Sequence, residues 1–294
     1  MKMSSEYSPW NWFRSGFTRA VGFTILILWS ITAVYPFVWT ALTSLKSNQE
    51  LYANIWGLPA NPQWQNYIYA WTTGGTGGTN SVETGFINSI IVTALSIIIL
   101  FVISPMAAYA LGRAEYRGKS TTLYLLIAGM YIAPQISLVP LFVLFAGLGL
   151  TNSLLGLVII YVSSGLPYAV FISRLGFLSI PSSLEEAARV DGLSTFQTYW
   201  RVTLPLAMPT VLIAMILEAI FVWNDFLYPL VFINSPNLNT LQLTLYNNFW
   251  NGFNPQYGAL SAGIVISTIP LLMLYLIFSD RIKKGVAAGI GVKT

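Results

Sequence analysis

Two carboxylates in a long apolar stretch are the residues best suited to hold an ion or a polar solute. Glu218 and Asp225 lie seven positions apart, so in one continuous helix they fall nearly on one face. Ionised carboxylates in an apolar environment are costly unless they are paired or face water, which marks them as candidate functional residues. Asn224 adds hydrogen-bonding capacity beside Asp225. The alternative is that Asn224 and Asp225 only bridge to the backbone of a neighbouring helix.

The composition excludes most enzymatic chemistry. The chain has no Cys and no His, which removes thiolates, disulfides, the usual general base and the commonest zinc ligand. The segment Gly112 to Ser120 suggests a phosphate-binding loop, but five residues separate its glycines where that motif has four. We therefore predict no catalytic site, no metal and no cofactor in this chain. Arg113, Arg117 and Lys119 are interpreted as anchors at lipid headgroups.

The elements that must position these carboxylates are membrane helices. The chain has 294 residues, of which 55% are hydrophobic and 8% are charged. Its mean hydropathy is +0.66. So few polar side chains cannot cover a water-soluble globule of this size, whereas a bilayer suits them. Only 14 residues are Lys or Arg, too few for a nucleic-acid surface.

Six segments are long enough to cross a bilayer, which requires about 20 apolar residues of helix. They run from Val21 to Leu42, Phe86 to Leu111, Thr122 to Leu148, Leu154 to Phe177, Leu206 to Ile233 and Ala259 to Phe278. We therefore predict an all-α polytopic membrane protein with six transmembrane helices.

The distribution of positive charge predicts the orientation. Every Lys and Arg except Lys46 falls in the termini, in the loops after the second and fourth spans, or at the end of the fourth span. Since cytoplasmic loops carry the excess of positive charge, both termini are expected in the cytoplasm. The predicted organisation is a cytoplasmic segment 1–20, a transmembrane domain 21–280 with an external loop 43–85 and a cytoplasmic loop 178–205, and a cytoplasmic tail 281–294.

The loop after the fourth span is the most polar part of the chain. Ser182 or Ser183 can cap a first short helix, with Glu185 or Glu186 completing a capping box. Gly192 can end that helix because glycine readily takes the left-handed conformation.

A second short helix is predicted after this glycine, capped by Ser194 with Gln197 and running to about Arg201, before Leu204-Pro205 turns the chain back towards the bilayer. Exposed apolar residues in this pair have no core of their own. Such a surface suits either a protein partner or a membrane surface, and the residues alone leave both open.

The same loop resembles the signature of permease subunits in binding-protein-dependent ABC importers. That signature is Glu-Ala-Ala, three residues, Gly, nine residues, Ile, one residue and Leu-Pro. The corresponding residues here are Glu186, Ala187, Ala188, Gly192, Val202 in place of Ile, Leu204 and Pro205. Asp191, the phrase Trp223-Asn224-Asp225-Phe226, and the tail Gly285 to Gly289 with Val292-Lys293 are similar to the carbohydrate-uptake branch, of the maltose-transporter type.

The resemblance implies that the chain transmits force and does not itself hydrolyse ATP. The short helix from Glu186 to Asp191 would dock in a cleft of a separate ATPase, which would bind the ATP and Mg. The implied partners are a second permease subunit, two ATPase subunits or domains, an external solute-binding protein and a carbohydrate-type solute. The implied location is the plasma (inner) membrane of a prokaryote. As polar groups inside a predicted span, Glu218, Asn224 and Asp225 are candidates for the solute path, although Glu218 departs from the pattern of the carbohydrate-uptake branch.

Two other classes of protein would account for parts of the sequence. An ion-coupled secondary transporter would use Glu218 and Asp225 as its coupling carboxylates. A membrane-embedded enzyme would need a catalytic cluster on one side of the membrane, and without His or Cys only scattered carboxylates are left.

Overall fold

A computed structural model describes residues 16–72, 80–250 and 255–289, with side chains for residues 20–72, 80–250 and 255–279. Over these ranges the regular structure is helical, without a strand. The helices are α1 (Gly16–Thr43), α2 (Asn48–Ala53), α3 (Gln65–Thr72), α4 (Val82–Arg113), α5 (Lys119–Met130), α6 (Pro134–Gly147), α7 (Leu154–Leu178), α8 (Ser182–Val190), α9 (Thr195–Thr198), α10 (Leu204–Asn224), α11 (Leu227–Phe232), α12 (Leu241–Leu245) and α13 (Tyr257–Gly289). Most of segment 1–20 and the end of the tail lie outside the described residues.

The all-helical prediction is confirmed, with five to six membrane spans. In the described part of the chain five helical segments are long and apolar enough to cross a membrane, namely those containing α1, α4, α7, α10 and α13. A sixth span exists only if α5 and α6 are counted as one bent span.

The third predicted span is not one continuous helix. α5 and α6 meet at an angle of 100°. Ala133 is extended, with φ −63° and ψ 132°, and Pro134 begins the second helix. A residue before proline is pushed away from helical geometry, so the chain breaks here although the apolar pattern continues across the break.

The fifth predicted span also ends earlier than expected. α10 stops at Asn224, Asp225 is extended with φ −69° and ψ 134°, and the short helix α11 follows. The prediction that Glu218 and Asp225 share one face of a continuous helix is therefore wrong, because Asp225 lies beyond the helix end.

The other end of the fifth span corrects two further predictions. The chain does not turn at Leu204-Pro205, because α9 leads through a π-helical turn, Tyr199–Thr203, directly into α10. Pro205 has no N–H and its ring would crowd the carbonyl of Arg201 in a regular helix, which the wider π turn relieves. The N-cap of α8 is Pro181 without a side-chain cap, so the capping box proposed for Ser182 or Ser183 is absent.

Helices α4, α7 and α10 pack together at the centre of the molecule. Their contact uses small residues, because a Cβ added to Gly176 of α7 would lie 2.7 Å from Cβ of Thr210 on α10. Leu100, Ala169 and Ala214 join the three helices in one buried cluster. This close approach of backbones fixes the central helices relative to one another.

Helix α1 lies at the edge of this bundle. It packs against α13, and none of residues 20–42 of this helix is buried within the chain. An apolar helix exposed in this way requires lipid or another protein around it.

Lys46, the lone positive charge on the predicted outer side, is not on the surface. Its side chain is 2% exposed, and its ammonium donates hydrogen bonds to the carbonyl oxygens of Asn54 at 2.9 Å and Ile55 at 3.2 Å. Both acceptors follow the C-terminal end of α2, where partial negative charge favours a cation. Lys46 therefore holds the segment after α2 against α1.

Asparagines hold the segment between α11 and α12 against α4. The amide of Asn88 donates to the carbonyl oxygens of Asn237 and Asn239, both at 2.9 Å. Asn80 donates to the carbonyl oxygen of Pro236 at 2.6 Å. Backbone groups in this irregular segment are thus satisfied by side chains instead of by a helix.

Candidate coupling surface and membrane carboxylates

Helix α8 presents most of its side chains to the outside. Of its nine residues only Glu185 and Ala188 are buried, and they lie three positions apart on one face. Glu186 and Ala187 are exposed, as is Asp191 directly after the helix. Within the described residues Glu186 forms no ion pair. The exposed face of α8 is therefore free to contact another molecule.

Gly192 reverses the chain between α8 and α9. Its φ is +81°, in the left-handed region, and its N–H donates to the carbonyl oxygen of Arg189 at 3.0 Å. The prediction that this glycine ends the helix is confirmed. The predicted capping box is also present after it: the N–H of Gln197 donates to Oγ of Ser194, and the N–H of Ser194 donates to Oε1 of Gln197.

Apolar side chains beside this reversal are exposed. Val190 is 87% exposed, Phe196 64% and Trp200 47%. A groove of about 310 Å³ runs next to them, lined by Met106, Tyr109, Thr195, Phe196 and Tyr199. Val190, Phe196 and Trp200 form an amphipathic surface together with the exposed face of α8. We call the exposed side chains of residues 184–200 the coupling surface.

The remaining signature residues serve another purpose. Leu204 is buried in a cluster with Phe177, Tyr199 and Val211, which joins α7, α10 and the π-helical turn. Val202 is half-buried, and Pro205 begins α10 in its first turn. The signature therefore contains exposed residues of the loop, Glu186, Ala187 and Gly192, and residues that are wholly or partly buried, Ala188, Val202 and Leu204.

A buried ion pair attaches α8 to α4. Glu185 Oε1 lies 3.1 Å from Nε of Arg113, and the two side chains are 8% and 16% exposed. The Nε–H is not aligned with that oxygen, so the contact is electrostatic and not a linear hydrogen bond. Tyr109 donates from its hydroxyl to the other oxygen of Glu185 at 3.5 Å.

Arg113 also reaches the end of α7. Its terminal nitrogen Nη2 donates to the carbonyl oxygen of Phe177 at 2.6 Å and to that of Ile180. Phe177 lies in the last turn of α7, where carbonyl oxygens lack the N–H partner that a further turn would supply, and Ile180 follows the helix end. Our interpretation of Arg113 as a headgroup anchor is therefore wrong, since its guanidinium is bound by protein. The sequence carries no local signal for this pair, because its two members lie 72 positions apart.

Asp225 is hydrogen-bonded where α10 breaks. Its carboxylate accepts from the hydroxyl of Tyr161 at 2.8 Å, from the N–H of Tyr228 at 3.1 Å and from the N–H of Leu227 at 3.3 Å. The last two N–H groups belong to the first turn of α11, whose N-cap is Phe226, so Asp225 satisfies them from one position before the N-cap. Asn224 is exposed and donates to the carbonyl oxygen of Ile220 at 2.8 Å.

Glu218 is buried between α10 and α7. It is 5% exposed, and a Cβ added to Gly165 would lie 2.6 Å from its Oε2. A side chain at position 165 would therefore require this carboxylate to shift. Asp225 lies past the end of α10 and Glu218 lies within it, so the structure does not bring the two carboxylates together as one pair.

Comparisons with known proteins agree with this arrangement. The chain is 35% identical to the probable ABC transporter permease protein YurM of Bacillus subtilis strain 168. The alignment spans 264 residues and covers 90% of this chain and 85% of that protein. It is 32% identical over 272 residues to the diacetylchitobiose uptake system permease protein NgcG of Streptomyces coelicolor, over 92% of this chain and 88% of that protein.

A solved structure has the same fold. It is a chain of a bacterial ABC transporter involved in the import of the acidic polysaccharide alginate, with a TM-score of 0.77 and 22% identity, over 94% of this chain and 99% of that one.

The family model of the inner membrane component of binding-protein-dependent transport systems matches residues 107–288, which contain the whole coupling surface and both membrane carboxylates. Neither this match nor the relatives support an ion-coupled transporter. The match covers more than half of the chain, and the chain therefore belongs to the family of inner-membrane components of binding-protein-dependent transport systems.

Proposed function

We propose that this chain is one of two permease subunits of an ATP-driven importer for a sugar, an oligosaccharide or a related polyol. Family membership supports the transport role, and the relative named for diacetylchitobiose uptake supports the solute class. ATP and Mg bind to two separate ATPase subunits or domains. An external solute-binding protein delivers the solute, and the complex lies in the plasma membrane of a prokaryote with both termini of this chain in the cytoplasm.

The coupling surface is the observation that carries this proposal. Its exposed Glu186 and apolar Val190 and Phe196 fit a partner with a basic group and an apolar cleft. Closure of the ATPase dimer on ATP moves α8 as a rigid body. The attached helices tilt in response and open the solute path alternately to the two sides.

The break at the end of α10 is our candidate for part of the solute path. Asn224 is exposed there, and Asp225 holds the break in place. Glu218 lies seven residues before Asp225 and about 10 Å from the end of α10. An exposed amide beside a helix break suits a hydroxyl-rich solute, because it offers both a donor and an acceptor.

The test is recovery of partners with the affinity-tagged chain from its native membrane. We expect an ATPase, a second permease and a solute-binding protein. Glu186→Ala or Gly192→Pro should leave membrane insertion unchanged, lower recovery of the ATPase and abolish uptake. Wild-type uptake by either variant, or absence of an ATPase from the wild-type complex, would contradict the proposed coupling.

A further inference from the structure

Two adjacent glutamates on α8 differ in burial and lie on different faces of the helix. Glu185 is buried against the membrane helices, whereas Glu186 is exposed on the coupling surface. They have the same chemistry and the same position in the chain to within one residue. Their different surroundings therefore indicate different roles.

The attachment of α8 to the central helices depends on few contacts. Ala188 is the other buried residue of the helix, and its side chain is a single methyl group. The remaining routes are covalent, through residues 179–181 into α7 and through α9 and the π-helical turn into α10. Without Glu185, movement of α8 would reach α7 and α10 through the chain but would reach α4 only through packing.

Arg113 connects three elements at once. It is the last residue of α4, its guanidinium pairs with Glu185 of α8, and it donates to the carbonyl oxygens of Phe177 and Ile180 at the end of α7. A planar guanidinium with five donors holds such a set in a fixed geometry. Because both side chains are largely buried, water screens the pair only weakly, and loss of either member would leave the other charge without its ion-pair partner.

We propose that the Glu185–Arg113 ion pair is the link that carries movement of α8 into α4, while Glu186 serves docking. Glu185 is thus a positioning residue that keeps α8 and the central helices moving as one body. This inference rests on the proposed coupling to an ATPase. It adds that docking and transmission depend on different, neighbouring side chains and are separable.

The experiment measures whether α8 and α4 move together. The chain has no Cys, so Ser182→Cys in α8 and Val102→Cys in α4, both exposed, allow two spin labels to be placed uniquely. Distances between the labels are recorded by pulsed electron paramagnetic resonance in the complete reconstituted complex, first without nucleotide and then trapped with ATP and vanadate. Recovery of the ATPase is measured on the same preparations.

Glu185→Gln and Glu186→Gln form a matched pair, because each removes one charge without changing the size of the side chain. In the wild-type background the label separation should be the same in both states. In Glu185→Gln the distribution should broaden and shift on trapping, with ATPase recovery unchanged. In Glu186→Gln the ATPase recovery should fall, and the label separation in the complexes that remain should match the wild type.

An unchanged distance distribution in Glu185→Gln would overturn the inference and leave the proposed function standing. Unchanged ATPase recovery in Glu186→Gln would count against the proposed function instead. If Glu185→Gln fails to insert because Arg113 is left buried and unpaired, the double variant Arg113→Gln/Glu185→Gln removes both charges. Its distribution must broaden on trapping if the ion pair is the link, and a wild-type distribution overturns the proposal.

Discussion

Among single side chains, Asp225 illustrates how a charge is stabilised where an apolar helix breaks. Its carboxylate accepts three hydrogen bonds, one from Tyr161 and two from the first turn of α11. Hydrogen bonds to a charged acceptor are stronger than those between neutral groups. The side chain thus stabilises the end of α10 whether or not a solute also touches it.

Asp225→Ala should lower the free energy of unfolding by about 1–3 kcal/mol, because it leaves the hydroxyl of Tyr161 and two N–H groups without their acceptor. Asp225→Asn should cost less, since it keeps one acceptor oxygen. Thermal unfolding in detergent, followed by tryptophan fluorescence, measures both variants. Equal unfolding temperatures for the wild type and Asp225→Ala would exclude this stabilising role.

Gly165 is predicted to be required by Glu218. Gly165→Ala should destabilise the chain by about 1–3 kcal/mol, because its methyl group would overlap the carboxylate and force it to move. Gly147→Ala is the matched control, since a Cβ there meets nothing within 4 Å. The double variant Gly165→Ala/Glu218→Ala should recover part of the loss in the same unfolding measurement. A loss that is unchanged in the double variant would place the strain elsewhere.

Among the helices, the conformation of the reversal between α8 and α9 depends on Gly192. Gly192→Ala should strain the backbone by about 1–2 kcal/mol, because alanine is disfavoured at positive φ. Gly118→Ala is matched to it, since Gly118 has φ +89° and likewise no neighbour near an added Cβ. We expect ATPase recovery to fall in Gly192→Ala only. Equal recovery in the two variants would mean that the shape of this reversal is not recognised.

The apolar pattern predicted where the long helices lie but not where they break. The runs from Thr122 to Leu148 and from Leu206 to Ile233 are predominantly apolar and long enough to cross a bilayer, so each was predicted to be one span. Pro134 carried the signal for the first break, yet prolines inside other helices, such as Pro105 in α4, do not break them. The break after Asn224 depends on the contact with Tyr161, which lies 64 positions away and leaves no local pattern.

The coupling surface was predictable from the sequence only in part, because some of its features are local and others depend on long-range packing. Gly192 and the Ser194 box are local features, and short-range geometry determines them. The different burial of Glu185 and Glu186 follows from where α8 packs, which depends on Arg113 at the end of a distant helix. The Glu-Ala-Ala signature identified exposed residues of the loop. Glu185, which attaches α8 to the end of α4, lies outside that signature.

For the molecule as a whole, the orientation in the membrane is a prediction that the charge distribution carries. A thiol-reactive, membrane-impermeant reagent should label Asn61→Cys in intact cells and Glu115→Cys only after permeabilisation. Both positions are exposed, and no native Cys competes for the reagent. The reverse pattern would invert the topology and place α8 on the wrong side for a cytoplasmic ATPase.

The burial of Lys46 has a consequence for recognition at the opposite end of the molecule. On the predicted outer side the described residues offer no exposed ammonium or guanidinium, and Glu50 already accepts a hydrogen bond from the N–H of Ala60. An approaching protein meets chiefly aromatic rings, amides and backbone there, with Glu83 as an exposed carboxylate. Salt screens charges and leaves apolar contacts largely intact. The affinity of an approaching protein for this end should therefore change little between dilute buffer and concentrated sodium chloride.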